Sequence, residues 1–218
     1  MNGGTDLTGM VVLSQPSGEY DRRVVLLTKE RGKITCFARG ARRQTSALIA
    51  ATSPFCFGTF TVYEGKSAYT LVRAEISEYF TPLREDLEAT YYGLYMLEFA
   101  SYYGRENLDA SEMLNLLYVS LRALEKEHIP NKLVRYIYEI KLMVINGEFP
   151  QDVAIDPQFS ESARYTMQFI IASPLKSLYT FTVSDAVLHE IARLQDRIRS
   201  RTLDRRLNTL EVLEGILG

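Results

Sequence analysis

The hydrophobic pattern of this chain changes its period once, near residue 80, and this change constrains the fold more than any other feature. Before Phe80, apolar and polar residues alternate in short runs, as in half-buried β-strands. After Pro82, apolar residues recur about every 3.6 positions, as in helices packed on a core. Glycine follows the same division, with eight of 13 in the first 80 residues. The sequence therefore predicts an α+β chain, with strands first and helices after them.

Five runs of β-branched and aromatic residues in the first part are separated by Gly, Pro and Ser clusters that are typical of turns. Short strands of this number and spacing are typical of a small barrel. The predicted strands cover residues 8–13, 22–28, 33–39, 55–64 and 67–76.

The third run divides most clearly into an inner and an outer face. Its residues of one parity are apolar, and we expect them inside the barrel: Ile34, Cys36 and Ala38. The other parity forms a cationic and aromatic outer face: Lys33, Thr35, Phe37 and Arg39. In the fourth run the apolar parity switches around Gly58, which predicts a β-bulge there.

The second part is a succession of predicted helices. The segment from Leu87 to Tyr103 is apolar on nearly all sides, which predicts a central helix. Pro130 and Gly147 bound a later helix, and Ser184 is expected to cap the last long one.

No arrangement typical of an enzyme is found. The tripeptide at 65–67 lies between two strand-like runs and lacks the earlier glycine of a phosphate-binding loop, so it predicts a hairpin turn. His128 and His189 have no metal-ligand spacing. Cys36 and Cys56 lie in apolar runs and are expected to be buried free thiols. We expect no catalysis, cofactor or metal, and, because no apolar run could span a membrane, a cytoplasmic protein.

Positive charge is concentrated in one stretch. The chain has 25 Lys and Arg against 27 Asp and Glu, yet residues 21–43 hold eight basic and two acidic residues. Single-stranded nucleic acid is bound by cations along its phosphates and by aromatic rings that stack on its bases. The outer face at Lys33, Phe37 and Arg39, with the pair Arg42 and Arg43 beyond it, suits this ligand. A solvated barrel face with an incidental Phe explains the same residues equally well.

A second basic cluster lies near the carboxyl end. A surface helix with ion pairs to Glu190 and Asp196 is the favoured interpretation, and a second DNA contact or a site for an acidic peptide tail is the alternative. The arginines are Arg193, Arg197 and Arg201 at i, i+4 and i+8, with Arg199, Arg205 and Arg206 nearby.

Several segments together resemble one family of bacterial proteins. They are DRRVVLLT at 21–28, GK at 32–33, FARGARR at 37–43, YEG at 63–65, YTL at 69–71, LRED at 83–86, SPL at 173–175 and RRLNTLE at 205–211. The chain resembles the RecO family of recombination mediators over nearly its whole length, and the stretch from 21 to 43 is the most specific part.

The resemblance implies a five-stranded OB-fold that binds DNA over residues 1–80 and an all-helical domain for partner binding over 81–218. It implies a role without catalysis in recombinational repair: binding single- and double-stranded DNA, annealing strands, and loading RecA. The implied partners are RecR and the acidic tail of single-stranded DNA-binding protein. The basic positions that match the family are Arg22, Lys33, Arg39, Arg42 and Arg43.

One departure from the family concerns zinc. Many members carry a four-cysteine zinc module after the third long helix, whereas this chain has no cysteine between Asn146 and Phe159. We therefore expect no zinc module.

The resemblance also implies a location in the bacterial cytoplasm, in association with the nucleoid. A protein–protein adaptor and an RNA-binding OB module are the alternative functions.

Overall fold

The computed structural model describes residues 3–150 and 156–217. Five strands form a closed barrel in the order β1-β2-β3-β5-β4, in which β3 and β5 are parallel and the other neighbours antiparallel. This confirms the predicted five-stranded barrel followed by helices. The strands are β1 (Thr5–Ser17), β2 (Asp21–Thr28), β3 (Gly32–Ala38), β4 (Phe57–Glu64) and β5 (Tyr69–Glu78), with a short helix α1 (Leu48–Ala51) before β4.

Bent and irregular strands allow the barrel to close. The pairing of β4 with β5 shifts register between Phe57 and Gly58, and the extra residue there is Ser77 of β5. The extra residue predicted in β4 at Gly58 is therefore wrong, because β4 pairs with β1 over residues 57–62 without a shift in register. Gly58 has no room for a side chain, since a Cβ there would lie 2.1 Å from the Glu75 carbonyl oxygen. Strand β1 runs further than predicted, through Pro16. Strand β1 pairs with β4 only over residues 5–10. At Pro16 one edge of β1 therefore has no partner in β4, so the missing N–H of the proline is tolerated there.

Apolar side chains from all five strands fill the barrel. In β3, Ile34, Cys36 and Ala38 are buried and Phe37 is exposed, as the alternation predicted. Both cysteines, Cys36 and Cys56, are buried free thiols, which confirms that expectation. Burial raises the pKa of Cys36 to about 12, so this thiol stays protonated at neutral pH.

The chain divides into two compact units, and the barrel unit extends beyond the strands. It includes helix α2 (Thr81–Glu85) and residues 97–114, which contain the end of helix α3 (Leu87–Tyr103). The backbone N–H of Lys33 donates to the Arg105 carbonyl at 3.0 Å. Gly32, with φ +63°, leaves the space that the Arg105 carbonyl occupies. The functional division of the chain at residue 80 stays a prediction.

The second unit comprises residues 86–96 and the chain from residue 115 onward. Two helices of this unit end or begin at the predicted stop and capping residues. Helix α5 ends before Gly147, and the Ser184 side chain accepts a hydrogen bond from the N–H of Val187 at 3.4 Å. The helices after α3 are α4 (Ser111–Leu124), α5 (Asn131–Ile145), α6 (Glu161–Ala172), α7 (Asp185–Thr202) and α8 (Asn208–Leu217), with a 3-10 turn at Leu175–Ser177.

A cluster of charged side chains is buried in the second unit. Glu139 is fully buried and accepts a hydrogen bond from the Tyr95 hydroxyl at 2.6 Å. The guanidinium groups of Arg135 and Arg199 donate to the same carboxylate at 2.7 and 3.2 Å. Burial raises the pKa of Glu139, but the two guanidinium groups outweigh it and hold that pKa below its usual value. Arg199 also pairs with Asp196 at 3.0 Å, so its charge is committed to this cluster.

Candidate nucleic-acid interface

The basic turn after β3, residues 39–43, is anchored to the turn between β1 and β2. The N–H of Gly40 donates to Oδ1 of Asp21 at 2.7 Å, and the N–H of Arg42 donates to the Tyr20 carbonyl at 2.9 Å. The Arg42 guanidinium adds hydrogen bonds to two more carbonyls of that turn, at 3.0 and 3.1 Å. Contacts within the barrel therefore set the position of the basic turn.

The arginines of the basic turn are exposed: Arg39, Arg42 and Arg43. The guanidinium carbon of Arg43 lies 5.0 Å from the centre of the Tyr20 ring, which is the geometry of a cation–π contact. In the part of the chain that the structure describes, the Arg39 side chain makes no hydrogen bond or ion pair. The turn thus presents a cluster of positive charge to solvent.

Tyr20 also belongs to this surface, although it was not among the residues predicted from the sequence. Its side chain is 45% exposed at the edge of the arginine cluster. A hydrogen bond to the Glu19 carboxylate raises the pKa of Tyr20, so the ring stays uncharged at neutral pH. The available signal was the position of an aromatic residue directly before the basic stretch that begins at Asp21.

Phe37 and Arg23 lie side by side on the outer face of the barrel. They are directly opposite in the antiparallel pairing of β2 and β3, and opposite residues have side chains on the same face. Phe37 is 39% exposed. Arg23 is half-buried, with one guanidinium nitrogen 3.4 Å from the side-chain oxygen of Gln15. Arg23 was not among the predicted site residues, because strand register rather than composition places it beside Phe37.

The two other predicted cations make contacts within the barrel unit. The guanidinium of Arg22 donates to the Ile49 carbonyl at 3.0 Å and to the Thr52 hydroxyl at 2.9 Å, which ties β2 to the region of α1. The ammonium of Lys33 donates to the Ser101 carbonyl at 2.6 Å, near the end of α3. The structure therefore brings four predicted residues together with Arg23 and Tyr20, and it commits Arg22 and Lys33 to internal hydrogen bonds.

The second basic cluster separates into two parts. The exposed side chains on α7 at i, i+4 and i+8 are Arg193, Arg197 and Arg201. Arg205 and Arg206 lie between α7 and α8, where a groove of about 560 Å³ is also lined by Glu211 and Glu214. Arg206 pairs with Glu211 at 3.5 Å. The α7 ridge is therefore more uniformly positive than the groove beside it.

The described residues contain no cluster suited to a metal ion. Among residues 3–150 and 156–217, no three His, Cys, Asp or Glu side chains are grouped in that way. The histidines His128 and His189 are both exposed. The loop compared with the zinc module includes residues 151–155, which lie outside the described residues. In the described part of the chain, no helix is long and apolar enough to cross a membrane.

Comparison with known proteins gives the same family over both parts of the chain. A family model described as Recombination protein O N terminal matches residues 1–80, and one described as Recombination protein O C terminal matches residues 84–151. The first match covers the whole barrel.

Curated relatives agree with these matches. A DNA repair protein RecO of Acetivibrio thermocellus is 28% identical, over 96% of each chain. The DNA repair protein RecO of Alkaliphilus metalliredigens is 37% identical over 65% of this chain and 58% of its own length. That of Bacillus subtilis is 30% identical over 67% of this chain and 57% of its own length. Since both family models match in order and the first coincides with a closed five-stranded barrel, the chain belongs to the RecO family of DNA repair and recombination proteins.

Proposed function

We propose that this protein is a recombination mediator that acts on DNA without catalysing a reaction. It binds single- and double-stranded DNA, promotes the annealing of complementary strands, and helps RecR to load RecA on DNA covered by single-stranded DNA-binding protein. Family membership supports this proposal, as do the relatives named DNA repair protein RecO.

The anchored basic turn carries the proposal. Its exposed arginines lie at the end of β3, beyond the exposed ring of Phe37. Single-stranded DNA meets both features, because its phosphates pair with guanidinium groups and its unpaired bases stack on aromatic rings. Hydrogen bonds to Asp21 and Tyr20 already hold the turn, so little further ordering is needed when DNA binds.

Annealing follows from electrostatics and local concentration. Each arginine that pairs with a phosphate reduces the repulsion between two approaching strands. A protein that holds one strand and a partner near the second strand also raises their effective concentration. The protein makes and breaks no covalent bond in this mechanism.

We assign partner binding to residues 81–218. The exposed ridge on α7 suits the acidic tail of single-stranded DNA-binding protein, since guanidinium groups form charge-assisted hydrogen bonds with carboxylates. RecR is the second protein partner in this proposal. The protein would act on chromosomal DNA, at the nucleoid in the bacterial cytoplasm. The ridge is formed by Arg193, Arg197 and Arg201, with Arg205 and Arg206 beyond it.

A titration of labelled oligonucleotides tests the proposal. Single-stranded DNA, duplex DNA and RNA of matched length are titrated at two salt concentrations, with and without RecR. We expect binding of both DNA forms that weakens as salt increases. Tighter binding of RNA would favour an RNA-binding module, and capture of RecR without DNA binding would favour an adaptor.

A further inference from the structure

A row of paired residues crosses the outer face of the barrel. In the strand register, Arg23 of β2 is opposite Phe37 of β3, Phe37 is opposite Thr70 of β5, and Thr70 is opposite Tyr63 of β4. Directly paired residues have side chains on the same face of a sheet. This stacking row, Arg23-Phe37-Thr70-Tyr63, therefore lies on one continuous surface of four strands.

The stacking row faces solvent, while its neighbours along the strands fill the core. Cys36, Tyr69 and Val62 are the adjacent residues and all are buried in the barrel. Phe37 and Tyr63 are 39% and 45% exposed. Two aromatic rings are thus exposed on one sheet face, separated by the short side chain of Thr70. Neither ring is needed to fill the barrel interior.

We propose that Phe37 and Tyr63 are two base-stacking positions on a path for single-stranded DNA across β2, β3, β5 and β4. The inference rests on the proposed function, because it assumes that the barrel binds DNA. It adds Tyr63, which composition and charge did not select, and it makes this face selective for unpaired bases. Duplex DNA cannot use the rings in this way, since its bases are already stacked in the helix.

Charge on the same face determines the occupant. Arg23 lies in the row itself, and Arg39 and Arg43 continue the path past the end of β3. An apolar peptide would use the rings but leave these cations without partners, whereas a single strand of DNA supplies phosphates and bases together. The rings of Phe37 and Tyr63 are two β-strands apart, about 10 Å, so the single strand of DNA is held at two separate points.

Ring-deleting variants test the inference. Tyr63→Ala and Phe37→Ala should each weaken binding of single-stranded oligo-dT by about 5- to 160-fold. The affinity for duplex DNA should stay unchanged. The salt dependence of binding to oligo-dT and to duplex DNA should also stay unchanged, because no charge is removed. Tyr63→Phe retains the ring and should bind within about twofold of the wild type. Tyr165→Ala is the matched control, since this tyrosine is 69% exposed on α6.

A spectroscopic variant keeps the test valid if an alanine variant is unstable. The chain has no tryptophan, so Tyr63→Trp introduces a single indole at the stacking row. Stacking predicts that its fluorescence is quenched by oligo-dT and not by duplex DNA at equal saturation. Unchanged fluorescence with bound oligo-dT would overturn the inference.

The failure of this inference is distinguishable from failure of the proposed function. If Tyr63→Ala binds oligo-dT normally while Arg39→Ala with Arg43→Ala loses affinity, the stacking position is wrong and the DNA-binding function stands. If Tyr63→Ala weakens single strands and duplex equally, the ring has no selective role and the inference also fails. If the wild-type protein binds no DNA, the proposed function fails first.

Discussion

The number of arginines in the basic turn and beside Phe37 sets the salt dependence that DNA binding should show. Arg22 and Lys33 are not counted, because both are half-buried and their charged groups donate to Ile49, Thr52 and Ser101, whereas Arg42 is exposed. Each phosphate neutralised on single-stranded nucleic acid contributes roughly −0.7 to the slope of log K against log salt, so four arginines give about −3. The four are the exposed Arg39, Arg42 and Arg43 and the half-buried Arg23, which lies beside Phe37 on the outer face.

Replacing Arg39 and Arg43 together by alanine should halve this slope to about −1.4. Raising salt from roughly 50 to 200 mM would then weaken wild-type binding by about 50-fold and the double variant by about 7-fold. Fluorescence anisotropy of labelled oligo-dT over a salt series measures both slopes. Arg42 is left in place because its guanidinium holds the turn between β1 and β2. The double variant should lose less than about 1 kcal/mol of stability, since both side chains are exposed.

A matched control removes two positive charges elsewhere. Lys126 and Lys132 are exposed and lie outside the barrel unit, so their double alanine variant has the same net charge change. Its slope should equal that of the wild type. An arginine variant with an unchanged slope, or a lysine control with an equally reduced one, would refute the assignment of phosphate contacts to the basic turn.

Four further predictions concern side chains whose contacts or burial support the fold. Arg22→Ala should lower the free energy of unfolding in urea by about 1.5–3 kcal/mol, because hydrogen bonds to charged groups are lost, yet leave the DNA salt slope unchanged. Glu139→Gln should lower it by about 3–5 kcal/mol, because two buried guanidinium groups lose their carboxylate. Folding lowers the pKa of Glu139, so its contribution to the free energy of unfolding is present above its unfolded pKa of about 4.3 and is lost as pH falls through the folded pKa. Urea unfolding at pH values between 7 and 3 would detect this loss. The Cys36 thiol, with its pKa raised to about 12, should react with a thiol reagent at pH 8 only as fast as the barrel opens, as mass spectrometry would follow.

Local sequence pattern was sufficient for the order of the five strands and the long helices and for the two faces of β3. Strand alternation separated buried Cys36 from exposed Phe37. The cap at Ser184 was also correctly predicted. Each of these features depends on residues within a few positions of one another, where backbone geometry is set by nearby side chains.

The composition of the candidate site was only partly predictable. The basic stretch identified Arg39, Arg42 and Arg43 because they are consecutive or nearly so. Tyr63 is separated from Phe37 in sequence by the basic turn, α1 and most of β4, and the two share a face only because β5 pairs with both of their strands. Such pairing depends on barrel closure, which composition does not specify.

Packing between residues far apart in sequence likewise decided which cations are available to a ligand. Arg22 meets a carbonyl 27 residues away, and Lys33 meets one 68 residues away. Sequence spacing shows that these side chains are positive but does not show which backbone oxygens will reach them. A guanidinium or ammonium group that satisfies a carbonyl in the folded barrel must exchange that hydrogen bond before it can hold a phosphate. Long-range packing therefore distinguishes the cations that support the fold from those that are exposed to a ligand.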